Sequence, residues 1–193
     1  MQSTGSLKSV IKTAVTSGGF MIPEKVIINF GLAEGMNIAD FGCGSGHFAI
    51  LSAKRVGESG KVYAIDIMES SLDTVKSKSR SENLSNMEFI RADLEVLGGT
   101  GLGDGSQDVV LIHNILFQSK KKEEIISEAN RVLKIGGRLI LIEWAKSSGG
   151  FGPPNELRLD EIAAEAMIAG LGFGLEKKID GGQFHYGLMF RKS

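Results

Sequence analysis

Residues 37–56 read Asn37-Ile38-Ala39-Asp40-Phe41-Gly42-Cys43-Gly44-Ser45-Gly46-His47-Phe48-Ala49-Ile50-Leu51-Ser52-Ala53-Lys54-Arg55-Val56. The first five form a short apolar run, the kind that makes a strand buried on both faces, and residues 46–56 fit a helical period. Three glycines at alternate positions, Gly42, Gly44 and Gly46, separate the two. A strand that turns through glycines into a helix brings backbone N–H groups close to a ligand, and side chains at those positions would stand in the way. The stretch predicts the first strand and helix of an α/β sheet, with a ligand crevice at the carboxyl edge.

Further apolar runs bounded by turn residues recur at 61–67, 87–92, 108–113 and 138–144. Helical periods lie between them at 69–81, 120–133 and 158–171. The clearest is 120–133, with Ile125, Ile126, Ala129, Val132 and Leu133 on one stripe and Gly136-Gly137 just beyond its end. Strict alternation of strand and helix gives parallel pairing through right-handed crossovers. The end of the chain breaks the rule. Strand-like segments 174–179 and 185–191 are separated only by Asp180-Gly181-Gly182-Gln183-Phe184, too short for a crossover helix, so the last strand must return antiparallel. The fold class expected is α/β: a doubly wound, Rossmann-like, seven-stranded sheet, mostly parallel with an antiparallel C-terminal hairpin strand. Residues 22–30 read as a helix with Pro23 in its first turn, flanking the crevice.

The length of 193 residues fits one domain, expected as a 1–35 cap or arm and a 36–193 core. Lys+Arg 22 against Asp+Glu 23 leaves a formal charge of -1, which supplies no global field for nucleic acid. The single cysteine, Cys43, excludes an intramolecular disulfide and a cysteine-cluster metal site and suits a reducing compartment; no metal is expected. The apolar runs fall far short of the roughly 20 residues that span a bilayer, so a cytoplasmic location with no membrane span is expected. Residues 1–21 hold Ser, Thr and Lys without an acid, faintly like a transit peptide but lacking Arg, and read more simply as an arm, ordered or frayed.

Glycines at 42, 44 and 46, with His47 next, depart from the G-x-G-x-x-G pattern that holds a pyrophosphate, which weakens an NAD reading. Asp66 ends the second strand, where a carboxylate can hold ribose hydroxyls of either cofactor type. Asp93 follows the third strand. Asp40-Phe41-Gly42-Cys43-Gly44-Ser45-Gly46, Asp66, Asp93, the fourth strand Asp108-Val109-Val110-Leu111-Ile112-His113 and the stretch 133–139 together resemble the ordered motifs of class I S-adenosylmethionine-dependent methyltransferases, over about residues 20–193. The resemblance implies S-adenosylmethionine as cofactor, S-adenosylhomocysteine as product, and Asp93 as the adenine-contacting acid. The cofactor-binding set it suggests is Asp40, Gly42, Cys43, Gly44, Gly46, Asp66, Ile67, Asp93, Leu94 and His113. Ile67 and Leu94 are apolar walls in this scheme, or equally simple core, and Cys43 has no chemical role beyond its place in the loop. Each acid alone reads as well as a solvated strand end or a helix cap.

Methyl transfer from a sulfonium relies on positioning, and a base is needed only if the acceptor has a proton to lose. The candidates are His113, at the carboxyl end of the fourth strand, and His185 with Tyr186, at the start of the hairpin's return strand. His47 suits packing or cofactor contact better. His113-Asn114-Ile115-Leu116 replaces the Asn/Asp-Pro-Pro-aromatic motif of the family's amine methylators, and one cysteine does not suit arsenic. The phrase running from Glu128 to Gly137 looks most like the small-molecule branch that includes ubiquinone/menaquinone C-methyltransferases. A small-molecule acceptor is therefore expected, covered by residues 1–35 and a lid at 146–155, with Phe20, Met21, Phe117, Trp144 and Phe151 as available apolar lining. The alternatives are an open site for a protein or RNA acceptor, an NAD-dependent oxidoreductase, and a non-catalytic binding module on the same scaffold. A homodimer is left open.

Overall fold

A computed structural model describes residues 21–146 and 151–193. The arm at 1–20, Phe20 with it, and the stretch 147–150 of the expected lid lie outside the described residues. Seven strands form one sheet: β1 (Asn37–Phe41), β2 (Lys61–Asp66), β3 (Met87–Arg91), β4 (Gln107–His113), β5 (Leu133–Trp144), β6 (Phe173–Asp180) and β7 (His185–Lys192). Their order is β3-β2-β1-β4-β5-β7-β6. Strands β1 to β5 pair in parallel, and β7 runs antiparallel between β5 and β6. The expected sheet and its hairpin are present, with β7 interior and β6 at the edge.

Helices α2 (His47–Val56) and α3 (Glu69–Ser81) cover one face; α4 (Lys122–Val132) and α5 (Glu161–Gly170) cover the other. Side chains alternate across a strand, so Ile38, Val109, Leu111 and Ile142 pack with α2 and α3. Ala39, Phe41, Ile112 and Leu141 pack with α4 and α5. Each large apolar side chain fully buried in these layers stabilises the fold by about 1.5–3 kcal/mol. The same alternation puts Asp40 and His113 at the carboxyl edge on the α2 face and Glu143 on the α4 face.

Three helix ends differ from expectation. Residues 22–30 do not form one helix: α1 (Pro23–Val26) makes a single turn and passes into a 3-10 turn at Ile27–Asn29, with Val26, Ile27 and Phe30 buried. The α4 helix stops at Val132, and β5 begins at once, because Leu133 is fully buried and pairs with Gln107. Gly136, at φ 74°, therefore bends a strand and does not close a helix. The last helix starts at Glu161, three residues late. Asp160 caps it by accepting from Ile162 N–H (3.0 Å) and Ala163 N–H (3.3 Å), and Arg158 is held outside by the carbonyls of Pro153 (2.8 Å) and Ala145 (2.7 Å). Among the described residues no helix is long and apolar enough to cross a membrane.

Candidate active site

The loop after β1 is a coil of left-handed residues: Gly42, Gly44 and Gly46 have φ of 70°, 50° and 78°, values that disfavour side chains. Its shape is fixed from β2, where Ile65 C=O accepts from Gly42 N–H (2.8 Å) and Cys43 N–H (2.9 Å). A Cβ on Gly42 would lie 2.3 Å from Ile115 Cδ1, and one on Gly46 would lie 2.6 Å from Val75 Cγ2. Gly46 is therefore a packing glycine against α3, and Gly42 marks where the loop meets the corner after β4. Cys43 is fully buried, and burial pushes its thiol well up, so it is an inert filler of the loop.

Asp66 stands at the end of β2 with both oxygens engaged. Oδ2 accepts from Gly44 N–H and Oδ1 from Met68 N–H, each at 2.9 Å. A carboxylate oxygen has a second lone pair, so Asp66 can hold the loop and still take ligand hydroxyls. Asp93 follows β3 and accepts from Glu95 N–H at 2.9 Å, turning the chain back over the edge. The loop beyond it is anchored by α4. Buried Glu128 accepts from Gly98 N–H (2.7 Å) and Thr100 Oγ1 (2.5 Å), and pairs with Arg131 through Nε (2.8 Å) and Nη2 (2.7 Å). Burial works to raise the Glu128 carboxyl, but the hydrogen bonds from Arg131, Thr100 and Gly98 outweigh it and hold it down to about 2.

These elements enclose a cavity of roughly 730 Å³ at the carboxyl edge, well within the range of small-molecule sites. Gly42, Gly44, His47, Asp66, Ile67, Asp93, Leu94 and His113 of the expected site line it, with Met21, Glu95, Asn114, Ile115, Gln118 and Ser119. Ile67 is 58% exposed, which suits a wall that a ligand would cover better than a core residue. Among the described residues three carboxylates line the cavity, and neither Lys nor Arg does. Such a lining repels a pyrophosphate and favours a ligand that carries positive charge. Among the described residues no group of three or more His, Cys, Asp or Glu side chains could hold a metal ion.

Asp40 lies beneath the loop, fully buried, and His113 Nε2 sits 3.4 Å from its Oδ1. Burial works against charge on this imidazole, yet the carboxylates of Asp40, Glu143 and Asp66 together outweigh it and raise His113 above the ordinary histidine value. Glu143 was not foreseen. Its Oε1 accepts from Ile115 N–H (2.8 Å) and Leu116 N–H (2.6 Å), fixing the corner after β4. Burial pushes its carboxyl up to about 7 against the pull of those amides. A lone acid at the end of the apolar run Leu139-Ile140-Leu141-Ile142 was the available signal. Asn114, left-handed at φ 55° in the same corner, gave none, because this turn after β4 has no glycine to mark it.

The second expected base pair does not reach the cavity. His185 stacks on Trp144, ring centroids 4.1 Å apart, with both ring nitrogens buried and without hydrogen-bond partners. Burial, then Arg158 and His113, push it down to about 4. Tyr186 points to the opposite face and donates to Leu159 C=O at 3.1 Å; burial pushes its hydroxyl far up. Phe117, Trp144 and Phe151 are likewise absent from the lining, whereas Met21 is present.

Residues 32–166 match the family model described as a methyltransferase domain, and the chain belongs to that family. It is 34% identical over 119 residues to a demethylmenaquinone methyltransferase of Lactococcus lactis, covering 62% of this chain and 46% of that protein. It is 33% identical over 117 residues to a ubiquinone/menaquinone biosynthesis C-methyltransferase of Escherichia fergusonii, covering 60% and 45%. The chain thus spans about half the length of these curated relatives. A crystal structure of a SAM-dependent methyltransferase from Aquifex aeolicus superposes with a TM-score of 0.82 at 28% identity, covering 90% of this chain and 91% of that one. S-adenosylmethionine is the cofactor these matches support, and the acid-lined cavity fits it.

Proposed function

We propose that the chain transfers a methyl group from S-adenosylmethionine to a small-molecule acceptor, with C-methylation the reading that the names of its relatives favour. The observation that carries it is the cavity lined by Asp66, Asp93 and Glu95 and, among the described residues, by no basic side chain other than histidine. When bound, S-adenosylmethionine supplies an electrophilic methyl on a sulfonium. The chain's own residues bind and orient. The glycine loop lets backbone approach the ligand, Asp66 accepts from ribose hydroxyls, Asp93 accepts from the adenine amine, and Ile67 and Leu94 enclose the ring. His113, lining the cavity beside Asp40, takes a proton from an acceptor that has one to lose. We place this activity in the cytoplasm, in a single domain.

Calorimetric titration with S-adenosylhomocysteine and, separately, NAD tests the cofactor. Binding of the nucleoside thioether alone is expected; binding of NAD alone overturns the reading. Incubation of cell extract with methyl-labelled cofactor then tests the acceptor. Label is expected in the small-molecule fraction, and label confined to protein or RNA overturns that part.

A further inference from the structure

We propose that Glu143 is a positioning residue of this site: from behind the cavity wall it pins the 113–116 corner and adds to the acids around His113, so that the site weighs a sulfonium ligand against its neutral thioether counterpart through the charge on His113. The inference rests on the cofactor reading above.

The geometry has two parts. Glu143 reaches the corner from the α4 face of β5, and its Oε1 takes two consecutive amides, Ile115 at 2.8 Å and Leu116 at 2.6 Å. That corner contains the strained Asn114, whose N–H is tied to Ile142 C=O at 2.9 Å. A non-glycine residue in the left-handed region persists only where its surroundings over-determine it. Glu143 is part of that determination. Ile115, carried by the same corner, fills the space that Gly42 leaves open, so the corner also sets the glycine loop.

The second part is electrostatic. Glu143 Oε2 is buried, and the Trp144 amide also bears on the carboxyl. The titratable groups whose charge acts on His113 are Asp40 from β1, Asp66 from β2, Glu143 through the sheet from β5 and, on β7, His185. From α2 the Phe48 ring meets it edge-on at 5.0 Å, and His47 lines the same cavity. Tyr186, which faces Glu143, stays uncharged through burial. His113 thus has three acids and one neutral histidine acting on it, and among the described residues no Lys or Arg lines its cavity. A positive His113 sharing that cavity with a sulfonium disfavours it relative to a thioether by like-charge repulsion. As pH rises, the imidazolium and the Glu143 proton are both lost, and each loss favours the sulfonium.

The test uses S-adenosylmethionine and S-adenosylhomocysteine as paired probes, titrated from about pH 5 to 9 into wild type, Glu143→Gln and Glu143→Ala, with the His113 ring signals followed by NMR. In wild type the affinity ratio is expected to move toward the sulfonium as pH rises, and His113 to titrate above an ordinary histidine. Glu143→Gln keeps an oxygen for the two amides and removes the charge, so His113 and the ratio should titrate at lower pH with thioether affinity kept. Glu143→Ala, which also releases the corner, should lose affinity for both probes. A ratio flat with pH while both probes bind overturns the proposal, as does an unchanged His113 midpoint in Glu143→Gln. Should that variant not fold, a wild-type His113 that titrates at or below the ordinary value overturns it. Binding of neither probe to wild type sinks the cofactor reading, and this inference with it.

Discussion

Gly44 N–H lies 2.9 Å from Asp66 Oδ2, so the loop after β1 is held by the side chain that closes β2. One carboxylate therefore both shapes the crevice and stands within it. The arrangement explains why Asp66 is nearly buried and still reaches the cavity wall.

Replacing Asp66 with Ala should weaken S-adenosylhomocysteine binding by about 1–3 kcal/mol, roughly five- to 150-fold, because ligand hydroxyls and the Gly44 and Met68 amides all lose a charged acceptor. Calorimetry on the folded variant checks this. Unchanged affinity would remove Asp66 from the site.

Gly42 and Gly44 share a left-handed backbone but not a neighbourhood. A Cβ at 42 meets Ile115 Cδ1 at 2.3 Å, whereas one at 44 meets nothing within 4 Å. Gly44→Ala should then cost about 1–2 kcal/mol, the backbone penalty alone, and Gly42→Ala about 1–3 kcal/mol more. Urea unfolding of both variants measures the gap, and Ile115→Ala added to Gly42→Ala should narrow it.

The buried Glu128 is ionised more readily in the fold than in the free chain, about 2 against 4.5. A depressed carboxyl stabilises the fold above its unfolded value, and that contribution is lost as pH falls from 4.5 through about 2. Glu128→Gln should flatten acid unfolding over this window. At neutral pH it should cost about 3 kcal/mol, because Arg131 keeps its charge without its main partner. Thermal melts across pH, wild type against variant, read both effects.

His185 behaves in the opposite chemical sense with the same sign. Its folded value of about 4 lies below 6.5, so the neutral ring stabilises the fold above 6.5, and this is lost as pH falls through about 4. His185→Phe keeps the stack on Trp144 and leaves no buried nitrogen unpaired. The variant should match or exceed wild-type stability, with the gain growing as pH falls from 6.5 and levelling off below about 4, as measured by thermal melting.

The sheet was legible because its strands are uniform apolar runs and its glycines fall between elements; the five-residue gap at 180–184 alone required an antiparallel strand. Helix ends were less legible where tertiary contacts set them. Leu133 continues the apolar stripe of α4 as well as the strand it joins, and only its pairing with Gln107 decides between the two. Arg158 is a good helix former by propensity, but carbonyls up to thirteen residues earlier hold it outside α5. In the cavity lining, Asp66, Asp93 and His113 were readable because each ends or closely follows a strand at the crevice edge. Trp144 and Tyr186 end or begin strands at the same edge, but the cavity lies over β1, β2 and β4, too far along the sheet for them to line it. Glu143 was hidden for another reason: its partners are backbone amides, which no residue type announces.

The position of β7 between β5 and β6 also orders events during synthesis. The β6 strand pairs with β7 alone, so once translated it has no neighbour to join until β7 has emerged as well. Meanwhile β5 presents an open hydrogen-bonding edge rich in Leu and Ile, the sort of edge that captures other chains. The most aggregation-prone moment for this protein on the ribosome should fall between completion of β5 and arrival of the strand that closes it.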